Sequence, residues 1–336
     1  MKKILLIGAS GQLGTRIFRI FASQGYQSIR ILVREDALYK HLLPDKPEVL
    51  IGDLLHVSSL QEALKGIDVV ITTANSAAPR KKSDTFKSVD IQGYKSLIDE
   101  AKKQSIRHFI YTSVKPVSNR FSNWIPIIKS KIIIENYLKN SGLTYTIFQP
   151  DAFMDVYFTF MGTTLPIEGD EATLVDRPFK FMQTFFKSIK NDMDKGKIGI
   201  IGDGTVKHCF ITVDNTAQFI VKAIEEPEFV NRAIPLGGPE ALSALELKAV
   251  FEKVLGKPLK TKTTPAFVMK MMGNLLAPFN PAASNIMKLN YLSAVEPSVL
   301  DVSALAEKLG IKLTTAKEFL EEKLAMTERR NTPLKV

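Results

Sequence analysis

Cysteine is almost absent from this 336-residue chain, with Cys209 standing alone. A single thiol has no internal disulfide partner, and without a second cysteine there is neither a thiolate zinc cluster nor a CxxC redox pair. The chain is therefore expected to work in a reducing compartment, the cytoplasm. Long apolar runs are missing too. None approaches the roughly 18 residues of a membrane span, and the opening run breaks at Gly8, too soon for a signal peptide. The four histidines, His41, His56, His108 and His208, are widely scattered. They show none of the close spacings of a metal-binding helix, so no metal is expected. No GxSxG segment marks a nucleophile elbow, and there is no internal repeat or low-complexity stretch.

What is present is enough for a large core. Hydrophobic residues make up 45% of the chain, which excludes disorder, and 45 Lys plus Arg against 35 Asp plus Glu leave a net charge of +10. A basic balance points to nucleic acid, an anionic membrane surface or an anionic cofactor, yet the basic residues are spread along the chain. The densest cluster, Arg80-Lys81-Lys82, has no interleaved aromatic to stack on bases and reads as a solvated loop. No nucleic-acid partner is expected.

The first 150 residues alternate short apolar runs with segments of helical spacing. Lys3 to Ile7, Ile29 to Val33, Val49 to Ile51, Val69 to Thr73, Phe109 to Thr112 and Tyr145 to Phe148 read as strands. Between them, Leu13 to Ala22, Asp36 to Leu43, Ser58 to Lys65, Val89 to Gln104 and Lys129 to Asn140 read as helices, the third capped by Ser58 or Ser59. Short apolar strands separated by helices predict a parallel sheet covered on both faces, hence an α/β, doubly wound (Rossmann) domain over 1–150. A smaller, mainly helical substrate and lid lobe is expected over 151–336, with 198–238 returning to the Rossmann sheet. The many Phe and Met residues of 153–186, with Met269, Met271 and Met272, are expected mainly in the core. The other reading is an adaptable apolar cleft.

The strongest chemical signal is Gly8-Ala9-Ser10-Gly11-Gln12-Leu13-Gly14, set between a strand and a helix. Gly8 permits a tight turn, Gly11 a close approach of backbone to a pyrophosphate, and Gly14 close packing of helix on sheet. The helix N-terminus offers free N–H groups to the negative charge. Ser10, Gln12 and Leu13 share that loop. Arg34 ends the second strand, twenty positions after Gly14. A guanidinium there pairs with a ribose 2′-phosphate, where a carboxylate would take the 2′-hydroxyl, so NADP(H) is expected ahead of NAD(H). Thr73-Ala74-Asn75 and Thr112-Ser113 lie on the carboxyl edge of the sheet, where ligands bind in open α/β folds.

The GxxGxxG spacing, Gly52-Asp53-Leu54 and the segment around Lys131 together resemble the short-chain dehydrogenase/reductase superfamily, in its atypical NmrA-like branch, over roughly residues 1–240. The resemblance implies that Asp53 and the Leu54 backbone meet the adenine, and that Lys131 binds the nicotinamide ribose. Pro150 and Phe153 would line the nicotinamide end. In better-known members a Tyr-xxx-Lys pair supplies the proton-donating phenol. Here Ile127 stands four residues before Lys131, and Gln149 replaces the usual Arg of Arg-Pro-xx-Phe. Ser113, Tyr157 and Lys131 itself remain as proton donors. Two functions fit: an NADPH-dependent reductase of a hydrophobic carbonyl, quinone or activated alkene, and a non-catalytic NADP(H)-binding regulator or assembly factor acting on a partner protein.

Overall fold

A computed structural model describes residues 2–171, 173 and 180–331. The chain forms two compact units, Met1–Pro150 with Val213–Leu236, and Asp151–Thr212 with Gly237–Val336. Its strands are β1 (Ile4–Ile7), β2 (Ile29–Val33), β3 (Glu48–Ile51), β4 (Val69–Thr72), β5 (His108–Thr112), β6 (Tyr145–Pro150), β7 (Lys197–Ile201), β8 (Lys207–His208), β9 (Arg232–Leu236), β10 (Leu242–Ser243) and β11 (Lys260–Thr264).

The first unit is built on a seven-stranded sheet of order β3-β2-β1-β4-β5-β6-β9, parallel at every pairing. β1, β2, β4 and β5 are buried along their whole length, as apolar strands covered on both faces must be. β3 is a sheet edge and stays half-open, with Ile51 exposed. Arg30 of β2 reaches the end of the helix Val57–Leu64, where its Nη1 donates to the carbonyls of Ala63 and Lys65 at 2.7 and 2.9 Å. That helix begins at Val57 with His56 at its N-cap and no side-chain cap, so the expected caps Ser58 and Ser59 fall inside its first turn, where the Ser59 hydroxyl turns back to the carbonyls of Asp53 and His56. The expected helix over 36–43 is a 3₁₀ segment, Lys40–Asp45, interrupted by Pro44. The one over 89–104 begins as a π-helical stretch, Phe86–Gly93, before the α-helix Tyr94–Lys103. Of 198–238, the part that joins this sheet is β9, reached through the helix Val213–Lys222. β7 pairs with β11 instead.

The second unit packs Met154, Phe158, Phe210, Phe251 and Phe319 into one apolar cluster. Phe158 meets Phe210, Phe251 and Phe319 edge to face at 5.3–6.0 Å, the geometry that aromatic quadrupoles favour. β8 pairs with β10 antiparallel. The expectation of a core role holds for Met154 and Met161 but not for Met271, which is exposed, while Met269 and Met272 are half-buried. Phe179 and its neighbours from 174 onward lie outside the described residues. Among the described residues no helix is long and apolar enough to cross a membrane.

Candidate functional site

The strand order reverses at β1, which has β2 on one side and β4 on the other. At such a switch point the loops after the two strands part and leave a crevice for a ligand. Gly8 follows β1 there with φ +89°, a backbone setting that favours glycine. A Cβ on Gly8 would meet Thr73 Oγ1 at 2.6 Å and Ala74 N at 2.8 Å. One on Gly14 would run onto the Gly8 carbonyl. The turn closes through Gly11 N donating to Gly8 O at 2.9 Å. The helix Gln12–Ser23 starts with Gly11 as its N-cap, no side-chain cap and no acidic residue in the first turn. Its first N–H groups thus keep an anion-receptive end. Ser10 and Gln12 are half-buried in this turn, and Leu13 is buried beneath it.

Arg34, just past β2, is half-buried. Its Nη1 lies 2.8 Å from Asp84 Oδ2 and its Nε 3.5 Å from Asp36 Oδ1. Asp84 Oδ2 also accepts the N–H of Arg80 and of Lys81, both at 3.1 Å, and Arg80 Nη1 donates to the Asp36 carbonyl at 3.0 Å. Arg80 is thus no free surface residue. It is half-buried beside Arg34, held by an acid four residues downstream. Burial would raise the Asp84 carboxyl, but the hydrogen bonds from Arg34, Lys81 and Arg80 outweigh it and hold the group below its ordinary value. Asp53 forms a local turn, its Oδ1 accepting the Leu55 N–H at 3.0 Å, while Leu54 is buried.

The carboxyl ends of β4 and β5 are joined by a buried polar network. Tyr94 OH donates to the Ala74 carbonyl at 2.6 Å, so the Thr72 hydroxyl, 2.8 Å away, must donate to it. Asn75 is exposed and its Oδ1 accepts the Ala77 N–H. Lys131, on the helix Pro126–Lys139, is buried. Its Nζ donates to the Thr112 carbonyl at 2.7 Å and sits 4.7 Å from the Tyr111 ring centre. Burial lowers its pKa from 10.5 to about 8, against the opposing pull of Asp90 and Glu135. The Asp90 carboxyl, pushed up by burial, accepts from the Ser76 hydroxyl and N–H. Thr112 Oγ1 is buried with no hydrogen-bond partner among the described residues.

Ser113 is committed elsewhere: its hydroxyl donates to Glu135, whose carboxylate also takes Gln149 Nε2 at 2.9 Å on each oxygen. Gln149 therefore meets Glu135 through a neutral amide where an arginine would bring a charge, and Lys139 Nζ lies 3.4 Å from Glu135 Oε2 on the same helix. Ile127 is buried, 5% exposed, so the position where a phenol was sought is filled by core. Pro150 ends β6 and its carbonyl accepts the Lys115 N–H. Phe153 belongs to the second unit, where it caps the helix Met154–Phe160 and bridges to Ile211. There Tyr157 stacks on Phe210 at 4.7 Å, its pKa pushed up to about 12 by burial and by the Asp151 carboxylate.

The sequence reads Arg80 as part of a solvated loop, which the structure corrects, and does not point to Asp84, Asp90, Tyr94 or Glu135. The readable signals were Asp84 inside a basic loop, and Asp90, Tyr94 and Glu135 interrupting apolar positions.

The residues present suit a dinucleotide on this chain's own geometry. Side chains at Gly8 and Gly14 would fill the turn, the helix end carries no cap of its own, and the Thr112 hydroxyl is left without a partner. The photosystem II assembly factor Ycf39 of Cyanophora paradoxa is 30% identical over 271 residues, 81% of this chain and 74% of that protein. The phenylcoumaran benzylic ether reductase IRL1 of Ginkgo biloba is 25% identical over 278 residues, 78% of each chain. Among solved structures, the NADPH complex of the quinone oxidoreductase QOR2 of Escherichia coli superposes with a TM-score of 0.71 at 18% identity, covering 96% of this chain and 99% of that one. The NmrA-like family matches residues 1–320, well beyond the 240 residues that carry the motifs, and the chain belongs to that family.

Proposed function

We propose that this protein is an NADP(H)-dependent oxidoreductase that reduces a hydrophobic carbonyl, quinone or activated alkene in the cytoplasm. The observation that carries the reading is Lys131, a buried amine at the carboxyl end of β5 with its pKa lowered to about 8. A general acid is most effective when its pKa lies near the working pH. In this reading the glycine turn and the helix Gln12–Ser23 hold the pyrophosphate, and Arg34 with Arg80 holds the 2′-phosphate. Asp53 and the Leu54 backbone meet the adenine, and Thr73, Ala74, Asn75 and Thr112 line the ribose and nicotinamide. The bound dinucleotide supplies the hydride. Lys131 delivers the proton from its ammonium to the substrate oxygen and is recharged from solvent, while Asp90 and Glu135 keep the site favourable to its charged form. Ser113 positions Glu135 and does not itself react. The NADPH-bound quinone and leucoanthocyanidin reductases of the same fold support the cofactor.

Two observations favour a second reading, an NADP(H)-binding regulator or assembly factor: isoleucine at 127, and the similarity to Ycf39. The experiment is to supply NADPH with a panel of quinones, aldehydes and enones and follow loss of the nicotinamide absorbance. Turnover that disappears in Lys131→Met supports the reductase. Tight NADPH binding without turnover of any acceptor supports the regulator.

A further inference from the structure

The helix Ala266–Leu276 of the second unit has two apolar faces, of which only one is covered. Gly273 lies against the neighbouring helix Pro281–Val295. The Ser284 hydroxyl donates to its carbonyl at 2.6 Å, and a Cβ there would meet Lys288 Cγ at 2.8 Å. Met269, Met272 and Leu276 share that side at helical spacing and are at least half-buried. On the opposite side Phe267, Met271 and Leu275 follow one another every four residues, and Phe279 continues the row in the turn beyond the helix. Their exposures are 66, 55, 60 and 82%. Among the described residues no other phenylalanine is exposed.

The electrostatic setting of this row is equally uneven. From Lys253 to Val295 the sequence holds six lysines and not one Asp or Glu. Lys253, Lys257, Lys260, Lys262 and Lys270 are exposed. Lys270 borders the apolar row, its Nζ 5.7 Å from the Tyr291 ring centre, and Lys262 is paired with Asp192 from outside the segment. A continuous row of Phe, Met and Leu bordered by Lys270, on a helix of only eleven residues, suits a helix lying in a lipid interface. Such a helix is too short to span a bilayer.

We propose that this helix seats the protein on an anionic lipid surface, Phe267, Met271, Leu275 and Phe279 entering the headgroup layer while Lys270 and the other exposed lysines of the acid-free stretch 253–295 favour lipid phosphates. Charge complementarity selects this occupant. A second copy docking through the same face by two-fold symmetry would set Lys270 against its own copy. A bilayer rich in acidic headgroups offers the opposite charge and needs no matching groove.

The test is flotation of the full chain with vesicles of phosphatidylcholine alone and of phosphatidylcholine doped with phosphatidylglycerol, at low and high salt. The protein should float with the doped vesicles, bind pure phosphatidylcholine about tenfold more weakly, and lose binding as salt rises. Phe267→Ser/Leu275→Ser should reduce binding to doped vesicles at least about tenfold. Its melting temperature and nucleotide affinity should be unchanged, since both side chains are exposed. Lys270→Glu should weaken binding to doped vesicles only. Absence of flotation at low salt overturns the proposal, as does equal flotation of the double variant. A vesicle-free dimer that the double variant dissociates would assign the face to self-association instead.

Discussion

Arg34 Nη1 and Asp84 Oδ2 lie 2.8 Å apart, and that same oxygen gathers the N–H groups of Arg80 and Lys81. The guanidinium expected to receive a 2′-phosphate is thus already engaged by a carboxylate, so an incoming phosphate competes with Asp84. Asp84→Asn keeps an oxygen for the two N–H groups but removes the charge. It should raise NADPH affinity by about 1 kcal/mol, the scale of a partly exposed ion pair. Arg34→Ala should erode the NADPH-over-NADH preference by about 1.5–3 kcal/mol, the range for a hydrogen bond to a charged group. Titrations with both nucleotides check the pair, and equal affinity of the unmutated protein for the two would sink the assignment.

Gly11 is the N-cap of the helix after the turn, with extended backbone at φ −90° and ψ 168°. Aspartate is a favoured N-cap in that conformation. A Cβ there would meet the Gly8 carbonyl oxygen at 3.2 Å, so Gly11→Asp should leave thermal stability within about 0.5 kcal/mol of the unmutated protein, yet abolish nucleotide binding by placing a carboxylate where the pyrophosphate would lie. A folded Gly11→Asp protein that still bound either nucleotide normally would show that the turn holds no phosphate.

Lys131 carries a pKa lowered to about 8 against 10.5 in the unfolded chain. Between those values the unfolded state binds more protons than the folded one, so this group makes stability rise with pH from about 8 to 10.5. Below pH 8 the buried ammonium is destabilising. Lys131→Met removes that dependence, and denaturant titrations across the window should show a flatter profile for the variant. Any reductase turnover, which needs the ammonium, should fall as pH rises through about 8 and be absent from Lys131→Met. A variant with unchanged turnover would remove the lysine from the chemistry.

Ile127 is buried, so a tyrosine there has no open space to enter. Ile127→Tyr should destabilise the protein by about 1–3 kcal/mol through overpacking and should not create or improve carbonyl reduction. A stable variant with increased turnover would place that side chain at the site after all.

The strands and the tight glycine turn were legible in the sequence because both rest on local patterns. Apolar runs of four or five residues give β1, β2, β4 and β5, and Gly8 and Gly14 mark a turn whose tightness excludes other residues. What escaped depends on side chains brought together from distant positions. Nothing near Arg80 in sequence says that it will lie beside Arg34, 46 positions earlier, because the contact is made by Asp84 folding the loop back. The π-helical stretch at 86–93 was hidden for a similar reason. It places Asp90, buried, against Ser76, which helical spacing alone does not anticipate. The exposure of Met271 was equally invisible, since an apolar row reads the same whether or not a neighbouring element covers it.

β6 is paired on one side with β5 and on the other with β9, and the residues joined there, Tyr145 and Asn231, are 86 positions apart. As the chain leaves the ribosome, then, the seven-stranded half has an open flank until the segment ending at Leu236 has emerged. Phe148, Gln149 and Pro150 would meet water along an unpaired ladder in the interval, a template for pairing with other nascent chains. A fragment ending at Pro150 inherits that flank permanently and should aggregate, so the smallest soluble version of this half is one that carries residues 213–236 fused after residue 150.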